Sequence, residues 1–405
     1  MKVRRALVFS TADWDHPFWT NKQYEALALA KCGVEVLYVE SLGLRRRAAG
    51  DSGDKARIVR RLKSAFRRPR MVVPGVHVVS PLVVPGWHSG VVRMVNDLLI
   101  VLQLLVWRVL WGKSDVVWTF TPVVNRRHVG RRFLVYHCVD DISAQPGMAS
   151  HFIREREDIL LQQSDLVFTT APALTARAVR VKGNLGVTEH TNCIDPGAFE
   201  KIGGRPVDLD QPRPIIGMVG ALSRYKFDAA LLGRVAKLRP GYSFVLVGAE
   251  GEGDPGDRLD DLRDADNIFL LGPRPRLEVP GYMAAFDVGV IMAPINDYTA
   301  SMFPMKFFEY MAAGVQVVST RLSAIEAFEN FVRFASSADD FVRRLDEALA
   351  DPFPSTELKA IAGQHSYESR VQDMLDQVER QASARVRRGP NGCIVPLGER
   401  GSTLL

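Results

Sequence analysis

The chain reads as an α/β protein built from two Rossmann-like, doubly wound parallel-sheet halves. Three observations predict this. From the N-terminus to about residue 200, short Val-rich apolar runs alternate with helix-length stretches, the pattern of parallel βαβ units. Residues 203–213 are rich in Gly, Pro and Asp and carry no periodic apolar pattern, which suits a linker. A second alternating series starts at Pro214 and runs to about Ala335. At 405 residues the chain is long enough for two cores, and its 47% hydrophobic and 24% charged residues are ordinary for a soluble globular protein.

In the first half, a strand is predicted over residues 5–10, a helix over 24–31 and a strand over 34–39. The basic start Met1-Lys-Val-Arg-Arg precedes too short an apolar run for a signal peptide and belongs to that first strand. Residues 41–71 hold eleven Lys/Arg against two Asp/Glu, a local charge of +9 in a chain of net +6. Such a block fits a solvated or disordered loop, or attraction to anionic lipid or a polyanionic glycan. Nucleic acid fits less well, since no aromatic interleaving accompanies the charge. Beyond a strand at 76–80, residues 91–110 are helical. Their longest apolar run, Leu98 to Trp107, is broken by Gln103 and leaves about ten residues where roughly twenty are needed to span a bilayer. A buried helix is expected there, with an interfacial, membrane-docking helix as the alternative. Strands follow at 115–120, 133–137, 165–170 and 188–192, with a helix ending near Gln163.

In the second half, strands are predicted at 214–220, 243–248, 267–272, 287–293 and 332–335, and helices at 228–238, 279–286 and 339–349. A final helix is expected over 356–384 and a disordered tail over 385–405. The domains are thus 1–202 and 214–355, joined by the linker 203–213. Cys32, Cys138, Cys193 and Cys393 are scattered without a CxxC pair, so neither a zinc site nor a disulfide framework is indicated, and a reducing cytoplasm is the expected location.

The most informative stretch is Ser301-Met-Phe-Pro304-Met-Lys306-Phe-Phe-Glu309-Tyr-Met-Ala-Ala-Gly314, followed by the Val-rich run 315–319. Pro304 suits the first turn of a helix and Gly314 its left-handed end. Phe307, Phe308, Met311 and Ala312 bury one side. Lys306 and Glu309 stand out as charged. A helix start with a lysine favours phosphate, and a carboxylate one turn on can accept both hydroxyls of a ribose diol. The same residues also fit an amphipathic core helix with solvated charges.

Pro-x-Lys-x-x-Glu-Tyr-x-Ala-x-Gly before a Val-rich strand resembles the donor-site motif of retaining GT-B glycosyltransferases, group 1, which include teichuronic-acid-type enzymes. The resemblance implies two Rossmann-like domains facing each other across a cleft, with a nucleotide sugar on the second and the acceptor on the first. The last helix is then expected to cross back to the first domain. It also implies a UDP- or GDP-sugar cosubstrate, no cofactor and no metal. Donor-binding candidates are Gly220, Arg224, Lys226, Arg274, Ser301, Pro304, Lys306 and Glu309. Many members carry a second Glu eight residues before the position of Glu309; here that residue is Ser301.

Two further elements carry the resemblance. Asp15-His-Pro-Phe-Trp19-Thr-Asn21-Lys22-Gln is similar to a stretch of teichuronic-acid-type transferases and yields Asp15, His16, Trp19, Asn21 and Lys22 as acceptor-side candidates; its aromatics also suit a domain edge. Tyr136-His137-Cys-Val-Asp140-Asp141 resembles the family's cleft element, so His137, Asp140 and Asp141, with Glu309, are candidates for the reaction centre; a simply buried Tyr-His-Cys is the competing reading. Asp208-Leu-Asp210 and Asp264-Ala-Asp266 spell Asp-x-Asp, but in linker or loop sequence, and no metal site is read from them. The expected activity is glycosyl transfer in surface polysaccharide, glycolipid or related synthesis, onto a glycan, lipid-linked or small-molecule acceptor. The basic block and the 91–110 helix are expected to offer peripheral contact with the inner face of a membrane. A nucleotide-sugar epimerase or isomerase and a non-catalytic nucleotide-sugar-binding partner are the alternatives.

Overall fold

The structure, a computed structural model, describes residues 2–45, 68–200, 202–254 and 258–388. Most of the basic block, and everything after Arg388 in the expected tail, lie outside the described residues.

The first sheet holds β1 (Arg5–Phe9), β2 (Glu35–Val39), β3 (Arg70–Val73), β4 (Val76–Val79), β5 (Val116–Thr119), β6 (Phe133–Cys138), β7 (Leu166–Thr169) and β8 (Val187–Glu189), in the order β3-β4-β2-β1-β5-β6-β7-β8. Its pairings are parallel except for β3 on β4. That antiparallel edge strand is absent from the sequence reading. Its signal is the Pro74-Gly75 turn, where Gly75 takes a φ of 81°. The second sheet is wholly parallel: β9 (Ile215–Val219), β10 (Ser243–Val247), β11 (Ile268–Gly272), β12 (Val288–Ile291), β13 (Gln316–Thr320) and β14 (Arg333–Ala335), in the order β11-β10-β9-β12-β13-β14.

Both sheets are covered on both faces, which is why their central strands, such as β1, β5, β6, β9 and β10, are largely apolar rather than alternating. In β1, Ala6 and Val8 face α1 (Asn21–Lys31), while Leu7 and Phe9 share a core with the buried side of α2 (Gly90–Leu110). α3 (Ser150–Gln163) and α4 (Pro172–Lys182) complete the first domain's cover. In the second domain, α5 (Ala229–Leu238) and α8 (Ala338–Ala350) line one face; α6 (Val279–Ala284) and α7 (Lys306–Ala312) line the other. The short helix Asp297–Ala300 precedes α7.

Three expectations need correction. α1 begins at Asn21 rather than Tyr24, because the Thr20 N–H donates to Gln23 Oε1 at 3.0 Å and caps the helix earlier; Asn21 and Lys22 are therefore helical. The C-terminal helix is two helices, α9 (Ser355–Gly363) and α10 (Tyr367–Arg388). At the break, the Ile194 N–H donates to the His365 carbonyl and the Tyr367 N–H to the Ile194 carbonyl, and α10 then runs back along α1. The expected buried helix, α2, is buried on one side only, and its full 21 residues are long and apolar enough to cross a membrane by length and composition.

Candidate functional site

The carboxyl ends of β9 and β10 form a floor made of backbone. Gly220 follows β9 with φ 145° and open space where a side chain would stand, while a Cβ on Gly248 would lie 1.8 Å from the Gly220 carbonyl oxygen. α7 is bolted to this floor, since Tyr310, at its centre, accepts the Val219 N–H through its hydroxyl at 2.9 Å. The ring also occupies the space that a side chain on Gly289 of β12 would need. Pro304 is buried just before the helix, and Gly314 ends it at φ 78°. On the helix surface Lys306 and Glu309 form an ion pair, with Glu309 the more enclosed of the two.

The first domain closes over this helix. The Asn21 side chain donates to Asn192 Oδ1 at 2.9 Å, and Asn192 Nδ2 donates to the Phe303 carbonyl at 2.7 Å, just upstream of α7. Tyr367 completes the chain by donating its hydroxyl to Asn21 Oδ1 at 2.7 Å. Tyr24 sits within electrostatic reach of Glu309. Burial above all, and then Glu309, push its phenol up to about 12, so it stays protonated. Arg276 of the second domain lies over the Trp19 ring at 4.4 Å and over Tyr24 at 5.9 Å. Asp140 joins the two sides, with Lys22 Nζ at 3.3 Å and the Tyr298 hydroxyl donating to it at 3.3 Å. The Lys226 ammonium lies 5.7 Å from the centre of the Tyr298 ring and 5.2 Å from that of Tyr225.

Thus the structure gathers Trp19, Asn21, Lys22, Asp140, Lys226, Pro304, Lys306 and Glu309 around one interdomain cleft, with Gly220 on its floor. Ser301 ends the short helix above α7 and is half-buried. Other candidates are placed differently. Asp141 caps a turn, accepting from the Ser143 N–H at 3.0 Å, and also meets Arg154 at 3.2 Å. Arg224 is exposed and paired with Asp261 at 2.6 Å. Arg274 is spent on the linker, bonded to Asp208 and to the Tyr282 hydroxyl, which also explains one acid of Asp208-Leu-Asp210. Asp15 is exposed and paired with Arg70 at 2.9 Å, and His16 bonds locally to the Phe18 backbone. Among the described residues no group of three or more His, Cys, Asp or Glu could hold a metal ion.

His137 corrects the sequence reading most sharply. It has no exposed surface, so it cannot touch a substrate. Its Nδ1 donates to Glu25 Oε2 at 2.9 Å, Nε2 is buried without a partner, and the ring stacks on Phe120. Burial first, and Arg370 and Lys22 after it, hold the imidazole below its ordinary 6.5 despite the carboxylate beside it; the ring is neutral. His190 is likewise lowered by burial, to about 4. In the unfolded chain both bind protons near 6.5, so between that pH and about 4 the folded state holds fewer protons than the unfolded. Stability therefore falls as the pH is lowered through this window. Differential scanning calorimetry is expected to show a lower melting temperature at about pH 5 than at about pH 7.5, with a shallower dependence for His190→Gln.

The sequence reading misses Arg276, Tyr24, Tyr298 and Asn192 as site residues. Arg276 is two residues from the chosen Arg274 in the same turn, and Asn192 opens the Asn-Cys-Ile-Asp segment, so both carried a signal. Tyr24 and Tyr298 carried none, because each is defined by what the opposite domain brings to it.

Comparison with known proteins agrees with this geometry. Residues 213–351 match the family model for glycosyl transferases group 1. Over 205 residues the chain is 26% identical to a Bacillus subtilis (strain 168) protein named as a teichuronic acid biosynthesis glycosyltransferase, TuaH; the match covers 47% of this chain and 50% of that protein, so the chain spans about half of this relative's length. Sucrose-phosphate synthase of Thermosynechococcus elongatus superposes with a TM-score of 0.72 at 15% identity, covering 94% of this chain and all of that one. HepE of Anabaena in complex with UDP-glucose gives 0.65 at 16% identity, covering 94% and 99%. An Escherichia coli structure described as trehalose-6-phosphate bound with UDP-2-fluoro glucose gives 0.67 at 12%, covering 93% and 99%. At such identities the structures speak for the architecture alone. With residues 213–351 matched in sequence and both domains matched in shape, the fold is GT-B, and the second domain is similar to the group 1 glycosyl transferases.

Proposed function

We propose that this protein transfers a sugar from a nucleotide-sugar donor to an acceptor, with retention and without a metal, in the synthesis of a surface polysaccharide or glycolipid at the inner face of a membrane. The observation that carries the reading is the Lys306–Glu309 pair, held at the carboxyl edge of the second sheet and facing Tyr24 of the first domain. Glu309 accepts the two ribose hydroxyls. Lys306 and Lys226, rather than Arg224 or Arg274, supply positive charge for the diphosphate, and the bare backbone at Gly220 lets it approach closely. UDP is favoured over GDP because the UDP-glucose of HepE and the UDP-2-fluoro glucose of the E. coli protein sit on the same fold. In the reaction the bond from the sugar's anomeric carbon to the diphosphate breaks, the acceptor oxygen bonds to that carbon on the same face, and the departing phosphate takes the acceptor proton. Asp140, between Lys22 and Tyr298, orients the sugar or the acceptor hydroxyl.

The test is a thermal-shift panel of UDP, GDP, ADP and TDP with their common sugars, each with and without Mg²⁺. A ligand that binds only the native state stabilises it by about 2.7 kcal/mol at a hundredfold excess over Kd and so raises its melting temperature. The expected result is a metal-independent shift with UDP and UDP-sugars, followed by sugar transfer to added acceptor. No shift with any nucleotide overturns the reading. A shift with donor turnover in the absence of acceptor points to an epimerase. Binding without turnover makes Ser301, in place of a carboxylate, the mark of a non-catalytic sugar-nucleotide-binding protein.

A further inference from the structure

We propose that the outer face of α2 docks the first domain on an anionic lipid bilayer, lying flat and half-sunk in its surface. Val91, Met94, Leu98, Leu102, Leu105 and Val109 recur three or four residues apart and are each between 49% and 85% exposed. They form one apolar stripe along a helix about 30 Å long. A stripe of this length on a soluble domain marks an interaction surface.

The other side of the helix decides how it can be used. Ile100, Leu104 and Trp107 are buried in the domain core. Asn96 is wholly buried, accepting the Val84 N–H at 2.7 Å and donating to the Val84 carbonyl at 2.8 Å. Gln103 treats Leu82 in the same way, at 2.7 and 2.9 Å. Asp97 is held by His128 at 3.0 Å, Arg127 at 3.2 Å and Arg156 at 3.5 Å. Crossing a bilayer would strip these amide bonds and carry the Asp97 charge into hydrocarbon. A helix stapled in this way stays on its domain and offers only its outer face, which is the geometry of an interfacial helix.

Charge selects the occupant. The C-terminal end of α2 carries Arg108 and, just beyond it, Lys113; Arg131 and Arg132 come from the turn before β6, and all but Arg132 are exposed. Burial, and after it the charge of nearby Arg108, lower the Arg132 guanidinium, which places these two cations near one another. Each such cation adds to the attraction of an anionic membrane surface. A second copy of the chain is a poorer partner. Asp97, the single carboxylate of α2, is already occupied, so a copy packed helix to helix brings no acid to the basic end. The docking reading rests on the proposed function only for its purpose, which is to hold the acceptor domain where a lipid-linked acceptor lies.

The test is flotation of the full-length protein with vesicles of phosphatidylcholine alone, or with about one third phosphatidylglycerol. The wild type is expected to float with the anionic vesicles and much less with the neutral ones. Leu98→Glu/Leu105→Glu is expected to bind at least about tenfold more weakly, and Arg108→Glu/Lys113→Glu to lose the preference for anionic lipid. Both variants change exposed side chains and should keep the wild-type melting temperature and its shift with UDP. A wild type that floats with neither vesicle, or a Leu98→Glu/Leu105→Glu protein that floats like wild type, overturns the proposal. So does a concentration-dependent dimer in light scattering that this variant abolishes while vesicle binding is absent. A missing UDP shift in every protein would count against the transferase reading and leave the docking result standing.

Discussion

Replacing Glu309 by alanine is expected to weaken UDP binding by about 1.5–3 kcal/mol, the range for hydrogen bonds to a charged group. Isothermal titration should read this as a roughly ten- to hundredfold rise in Kd. Glu309 is one turn from the start of α7, and it pairs with Lys306 on the same helix. An ion pair three residues apart on a helix surface contributes only about 0.2–0.5 kcal/mol to stability, so the fold should hardly notice its loss. What the carboxylate offers a ligand is different in kind. Its two oxygens accept from both hydroxyls of a diol, and the side chain is only 12% exposed. The helix that carries it cannot drift, because Tyr310 ties it to β9. Lys306→Ala is the companion experiment. It removes a point charge, so its effect should shrink as salt is raised. Unchanged affinity in Glu309→Ala, at an unchanged melting temperature, would remove this residue from the donor site and leave α7 as a core helix with two solvated charges.

The parts of this fold that were legible in the sequence are those set by local chemistry. α7 and its ends could be read because Pro304, the apolar spacing and Gly314 each act within a turn or two. The central strands of both sheets could be read because strands covered on two faces are largely apolar, whereas the exposed edge strand β3 was missed. The misread features depend on contacts across the chain. His137 lies at the end of a strand where catalytic groups often sit, yet Glu25 of α1, 112 residues earlier, bonds to it and Phe120 stacks on its ring. Arg224 and Arg274 look like phosphate ligands until Asp261 and Asp208 are found beside them, 37 and 66 residues away. α2 is apolar nearly all round, so the sequence cannot say which face the domain takes and which is left outside. The amides of Asn96 and Gln103 answer that, by turning one side towards Leu82 and Val84.

Arg370→Ala is expected to destabilise the protein by about 3–5 kcal/mol, the cost of removing one member of a buried ion pair. Arg370 opens α10 and is 5% exposed; Glu25 on α1 is 1% exposed. Its Nη2 meets Glu25 Oε1 at 2.5 Å, its Nη1 donates to the Thr191 carbonyl at 2.8 Å, and its guanidinium lies over Tyr367. Burial alone would raise the Glu25 carboxyl; the hydrogen bond from His137 and the charge of Arg370 outweigh it and keep the group ionised. Without Arg370, that carboxylate stays in the core with a neutral histidine for company. It must then either remain charged and unpaired or take up a proton, and both outcomes cost stability. Because a domain is stable by only about 5–15 kcal/mol in total, the effect is large. Denaturant unfolding followed by circular dichroism measures it. The double replacement Glu25→Gln/Arg370→Met separates charge from packing, and is expected to recover much of the loss because no lone charge is left behind. If Arg370→Ala were as stable as wild type, α10 would be held on the first domain by its apolar side alone, through Val371, Met374, Leu375 and Val378.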